Sequence, residues 1–193
     1  MMPAGVEVLS LHEIGFEAEI DETGETLEEN SLIKAQTVWE WMNGENGDAS
    51  LNGGLMIDGV FADDTGLEID ALNGEPGVYT ARWAGSPAAN RAKALRELEG
   101  KDNRGCQFRT VITLLMNGDA PLNGRMMQVE GVVRGRIAEQ EYGEGGFGYD
   151  PVFIPEGYDK TFGELPAELK NHISHRARAI QELVKVLNDG LKD

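Results

Sequence analysis

Apolar residues recur along this chain with two periods. Alternation over "VEVLSL", residues 6 to 11, predicts a strand. Leu32, Ala35, Trp39 and Met42 fall three and four apart, which predicts a helix after the acidic turn "DETGETLEEN". Thr26 and Glu29 supply a capping box at its start. "LMIDGVFA" reads as a strand that stops at a turn, "DDTG". Ser86 and Pro87 suit the cap and first residue of a helix running to about Glu99, with Gly100 ending it. "CQFRTVITLLM" and "MQVEGVVRGRI" predict long strands joined by a hairpin connection, "NGDAPLNG", and "VFIP" predicts a short one. The closing "SHRARAIQELVKVLNDG" predicts a helix capped by Ser174, with Ala177, Ile180, Val184 and Leu187 on one face. The Gly/Asn-rich segment 43–54 predicts a flexible loop. Strands interleaved with helices make an α/β fold, and the hairpin makes its sheet mixed.

Composition narrows what such a fold can serve. A chain of 193 residues, 40% hydrophobic, suits one domain over residues 1–193, or one domain with two lobes. Net charge is −17, which argues against a nucleic-acid surface. An anionic ligand then needs local cations, a helix N-terminus or a metal ion. Cys106 is the single cysteine, so no disulfide forms within the chain. No apolar run approaches the roughly 18 residues of a membrane span, and "MMPAGVEVLSL" lacks the basic start of a signal peptide. A soluble cytoplasmic protein is expected.

Four stretches carry candidate chemistry. "GEGGFGYDP" matches G-x-G-x-x-G through Gly143, Gly145 and Gly148. A dinucleotide fingerprint needs a helix to open there, whereas Pro151 and the strand-like residues after it disfavour one. The loop is either a plain tight turn at a sheet edge or a device that brings Phe147 and Asp150 against a planar ligand. "LKNHISHRAR" gathers Lys170, His172, His175 and Arg176 near a helix start, where an anion is favoured or the polar groups are simply solvated. In "DETGETLEEN" most carboxylates are solvated, and one or two can reach a divalent cation. Asn30 and Lys34, four apart, share a helical face. Finally, Asp63 and Asp64 cannot both point the same way from an extended chain. One carboxylate at the strand end can hold Mg²⁺ or orient a water, although Asp-Asp-Thr-Gly is also ordinary turn chemistry.

The order of these stretches resembles the inosine triphosphate pyrophosphatase family. The matching pieces are "ETGETLEENSLIKA", "FADDTGLEIDALNGEPGVYTARWAG", "GGFGYDPVFIP", "TFGEL" and "KNHISHRARA". The resemblance implies an elongated central mixed sheet flanked by helices, in two lobes with an active-site cleft between them. It also implies a homodimer that hydrolyses ITP, dITP and XTP to the monophosphate and pyrophosphate with Mg²⁺. By the same resemblance Asp64 is the proton acceptor and a metal ligand, with Asp63 beside it and Glu22 as a further metal ligand. Lys34 lies on the phosphates and Thr65 contacts substrate. Phe147, Gly148, Tyr149 and Asp150 frame base and sugar, and Lys170, His175 and Arg176 complete the purine pocket.

The family pattern usually opens with a strand ending in T/S-x-N-x-x-K, followed by a helix, and nothing before Val6 matches it. The chain is therefore expected to lack that first strand and helix and to turn over weakly. The alternative is a catalytically impaired relative that binds nucleotide.

Overall fold

The computed structural model describes residues 2–43, 57–116 and 126–190. Helix α1 spans Leu27–Asn43, strand β1 Gly59–Ile69, β2 Pro76–Gly77, α2 Pro87–Glu97, β3 Gly105–Met116 and β4 Met126–Ile137. Strand β5 (Phe153–Pro155) and helices α3 (Ala167–Ile173) and α4 (His175–Gly190) complete the chain. The sheet runs β2-β1-β3-β4-β5, with β1 antiparallel to β2 and β4 antiparallel to β5. The α/β fold expected from the sequence is the one observed.

Local chemistry explains three of the four α-helix starts among the described residues. At α1 the Thr26 hydroxyl accepts from the Glu29 N–H and the Glu29 carboxylate accepts from the Thr26 N–H, both at 3.1 Å, closing the predicted capping box. At α2 the Ser86 hydroxyl accepts from the Ala89 N–H at 3.2 Å. At α4 the Ser174 hydroxyl accepts from the Ala177 N–H at 3.2 Å. The α2 helix ends at Glu97, two residues before the expected Glu99, and the Leu98 carbonyl is taken by the Arg104 guanidinium.

The chain divides into two compact units. The first comprises Met1–Asp64, Val111–Val129 and Ile180–Asp193. Its core joins Phe16, Ala35, Val38 and Val60, with Trp39, Trp41, Met42 and Leu115 packed on them. Phe16 meets Trp41 edge-on at 5.3 Å. The second comprises Thr65–Thr110 and Glu130–Ala179. Here Phe108, Phe153 and Phe162 form a contiguous aromatic row amid Leu67, Ile69, Leu98, Ile137 and Val152.

Two expectations fail and a third holds in part. Residues 6–11 are irregular and turn rather than strand, with Val8 and Leu11 exposed. Alternation alone specifies nothing without a neighbouring strand to bond. The segment instead closes a turn in which the Phe16 N–H donates to the Leu11 carbonyl at 2.9 Å, and Phe16 is buried. Second, "DDTG" is not a turn. Strand β1 runs unbroken through it for 11 residues, so Asp64 sits inside a strand and not at its end. β1 is bonded to β3 and, at Leu67 and Glu68, to β2, and this sheet pairing overrides the turn preference of Asp and Gly. The stripe expected on α1 is part of its inner face: Ala35 is fully buried and Trp39 and Met42 pack on the core, but Leu27, Asn30, Ser31 and Val38 are buried beside them and Leu32 is half-buried. The hairpin segment "NGDAPLNG" and the loop 43–54 lie outside the described residues, apart from Asn43, the last residue of α1.

Candidate active site

One cluster belongs wholly to the first unit. The capping box sets the start of α1, and Lys34 follows two turns into the helix. Its Nζ donates to Glu22 Oε1 at 2.9 Å and to Asp64 Oδ1 at 2.7 Å. Asp64 is buried at 8% exposure, so its charge depends on that ammonium. Burial pushes the Asp64 carboxyl above its ordinary value, and the Lys34 bond opposes the shift without cancelling it. Burial acts against the Lys34 ammonium, but its bonds to Asp64 and Glu22 outweigh this and the lysine is shifted upward. The side-chain oxygen of Asn30 accepts from the Gly24 N–H at 2.8 Å, fixing the turn next to Glu22.

Two carboxylates thus converge on one positive charge. Such a pair suits a hard divalent cation, which commonly takes one or two carboxylates and fills its other positions with water and phosphate oxygens. Among the described residues no three His, Cys, Asp or Glu side chains group as a metal set. Asp63, the neighbour of Asp64 in β1, projects from the other face of the strand. Glu22 and Asp64 are therefore the pair that fits a metal ion.

A second cluster belongs wholly to the second unit, around the glycine loop. No helix opens at the glycines, so the dinucleotide reading fails as expected. Asp150, 3% exposed, accepts from the Phe147 N–H at 2.7 Å and from the Lys170 ammonium. A Cβ on Gly146, whose φ is +77°, would collide with Asp150 Oδ2, so that position requires glycine. Lys170 Nζ lies 4.2 Å from the centre of the Phe147 ring, which is 69% exposed. The Gly148 carbonyl accepts from Arg91 at 2.8 Å, and the buried Tyr149 hydroxyl donates to the Thr80 carbonyl at 3.1 Å. His175 is buried and stacks on Phe108 at 4.7 Å, and Phe108 also meets the Tyr149 ring. Thr65 shares a 2.8 Å hydrogen bond with Thr110. Arg176 and His172 are exposed, and His172 takes no part in the cluster.

Arg91 and Phe108 were not anticipated. Nothing local marks them, since one acts from mid-helix and the other from mid-strand. A cavity of about 340 Å³ in this unit, lined by Arg104, Arg136, Glu139, Tyr142, Asp159 and Glu164, contains none of the predicted residues. Three carboxylates in its wall disfavour a phosphate, and all the donor nitrogens of Arg104 are already bonded to the Ile137, Leu98 and Ala138 carbonyls. The two polar clusters are the better candidates.

Comparison with known proteins agrees with the resemblance read from the sequence. The sequence model of the Ham1 family matches residues 1–186. A dITP/XTP pyrophosphatase of Flavobacterium johnsoniae is 44% identical over 190 residues, covering 97% of this chain and 88% of that protein. One of Bacillus subtilis is 45% identical, covering 96% and 86%. The solved structure of the Staphylococcus aureus Ham1 protein superposes with a TM-score of 0.78 at 38% identity, covering 95% of this chain and 87% of that one.

Proposed function

This chain belongs to the Ham1 family, and from that premise we propose that it is a nucleoside triphosphate pyrophosphatase acting on the non-standard purine nucleotides ITP, dITP and XTP. The observation that carries the reading is Lys34 bridging Glu22 and Asp64 at 2.9 and 2.7 Å. These are the carboxylate and ammonium groups that a phosphoanhydride hydrolase needs in one place. Asp64 orients the attacking water and accepts its proton. Lys34 neutralises charge on the phosphates as the bond between the α- and β-phosphates breaks. Glu22 and Asp64 would hold Mg²⁺, which supplies charge neutralisation for the triphosphate. In a chain of net charge −17, a triphosphate is held only where cations are local.

The glycine-loop cluster supports a role in reading the base. Phe147 offers an exposed ring face for stacking, and Gly148, Tyr149 and Asp150 frame the base and sugar. Lys170, His175 and Arg176 supply donors suited to a 6-oxo group. A 6-amino group would leave such donors unpaired, the stronger route to discrimination. Thr65 serves as a substrate contact. The alternative of a binding protein without turnover is not favoured, since the relatives at 44% and 45% identity are named as pyrophosphatases. A homodimer in the cytoplasm completes the proposal, and no helix among the described residues is long and apolar enough to cross a membrane.

Pyrophosphate release from ITP, dITP, XTP and ATP, with Mg²⁺ and with chelator, tests the reading. Pyrophosphate and monophosphate are expected from ITP, dITP and XTP, at about 100-fold or more over ATP, with loss of turnover in chelator. Release of orthophosphate, or equal cleavage of ATP, would contradict it.

A further inference from the structure

Two asparagines perform the same task at two helix starts. The Asn90 side-chain oxygen accepts from the N–H of Ala84, six residues back, at 2.5 Å. The Asn30 oxygen accepts from the N–H of Gly24, also six residues back, at 2.8 Å. Both side chains are buried, Asn30 at 0% exposure and Asn90 at 2%. Their amide groups differ. Asn90 Nδ2 donates to the Thr80 and Ala81 carbonyls at 3.1 and 3.0 Å, so its capacity is used. Asn30 Nδ2 is buried and makes no hydrogen bond of normal geometry among the described residues. Asn30 lies one turn before Lys34, on the helical face from which Lys34 reaches Asp64, and its side chain favours the charged form of that carboxylate.

A buried donor without an acceptor is costly, and the rest of the turn is built to keep this one in place. A Cβ on Gly24 would lie 2.8 Å from the Asn30 oxygen and 2.7 Å from Glu29 Cβ, so only glycine permits the approach. Asn30 and Lys34 are four apart on α1, on one helical face, and both address Asp64. Lys34 Nζ donates to Asp64 Oδ1 and to Glu22 Oε1. Its third hydrogen is left for a phosphate oxygen, and an ammonium shared three ways holds each carboxylate less firmly than one shared between two.

We infer that Asn30 is a positioning residue for hydrolysis: its oxygen fixes the turn that carries Glu22, and its buried Nδ2 group holds Asp64 in place while the Lys34 ammonium is shared with the triphosphate. The inference rests on the pyrophosphatase reading above. It concerns a residue that acts through Asp64 and Glu22 rather than on the nucleotide. Its loss therefore lowers the rate of the bound complex and leaves binding nearly intact.

The test measures kcat and KM for pyrophosphate release from ITP by wild type and Asn30→Ala, with thermal unfolding in parallel. The expected result is a fall in kcat of about 10- to 100-fold, the range for a hydrogen bond to a charged group, with KM within about threefold. A kcat within about twofold of wild type, with only the unfolding temperature lowered, would overturn the inference and leave Asn30 a structural staple. Wild type that releases no pyrophosphate from ITP would remove the functional reading itself, a separate and recognisable failure. Should Asn30→Ala not fold, the side-chain amide signals of Asn30 in ¹⁵N-labelled wild type decide. They shift on binding the α,β-methylene analogue of ITP with Mg²⁺ if Nδ2 gains an acceptor, and unmoved signals in the bound protein overturn the inference.

Discussion

The two polar clusters share a motif, an aspartate bonded to a lysine, and are built in opposite ways. Asp64 and Lys34 come from a strand and a helix, and the second carboxylate, Glu22, comes from a turn latched by Asn30. Regular spacing fixes these side chains, and a shift of one residue would turn them to the other face. Asp150 comes from a glycine loop and is held by the Phe147 N–H and the Lys170 ammonium, with Gly146 pressed against it. Here close backbone approach does the positioning. The first design suits a group that must hold one geometry through a reaction. The second suits a surface that must mould to a planar ligand. The comparison therefore predicts that damage to the first cluster appears in kcat, and damage to the second in KM, selectivity and stability.

The largest expected effect that sharpens this division comes from Lys34→Met. It leaves Glu22 and Asp64 without their shared cation, and kcat for ITP should fall by about 100- to 1000-fold. A loss confined to KM would break the comparison. Asp150→Ala should come next, acting through stability. It leaves the Lys170 ammonium, whose side chain is 14% exposed, without its partner, costing about 3 kcal/mol in denaturant unfolding. An unchanged unfolding midpoint would show that the pair does not latch the loop. Gly146→Ala should cost about 1–3 kcal/mol from the left-handed backbone and the clash with Asp150, and should raise KM for ITP more than it lowers kcat. The smallest effect is expected at Cys106, which is fully buried and whose thiol burial pushes well above its ordinary range. A thiol reagent should leave it unmodified in the folded protein and react on unfolding. Ready reaction in the native state would mean that the core around Phe108 opens.

The same contrast explains what could be read from the sequence. Capping residues Thr26, Ser86 and Ser174 marked three helix starts because a side-chain oxygen next to free N–H groups is a local device. Strand β3 was legible from its apolar run and β4 from its interleaved apolar and polar residues. Lys34 and Asp64 were legible as candidates through the family resemblance, but their bond was not, since it joins residues 30 positions apart. The turn assigned to "DDTG" failed because pairing within the sheet outweighs the intrinsic preference of these residues. The inner face of α1 was legible only in part because Asn30 and Ser31 are buried while polar. Ser31 shares a 2.7 Å bond with Thr113, and Asn30 holds Gly24. A search for apolar periodicity gives such residues no weight. Arg91, bonded to the Gly148 carbonyl 57 positions away, left no local trace at all.

The central claim is that the first cluster performs the chemistry through Asp64. The direct measurement is the rate of pyrophosphate release at saturating ITP and Mg²⁺ by Asp64→Asn, a change that keeps the shape of the side chain and removes its charge. The account predicts a rate lower than wild type by about 1000-fold or more, with nucleotide still bound. A rate within about tenfold of wild type would contradict it, and would move the reaction away from Asp64.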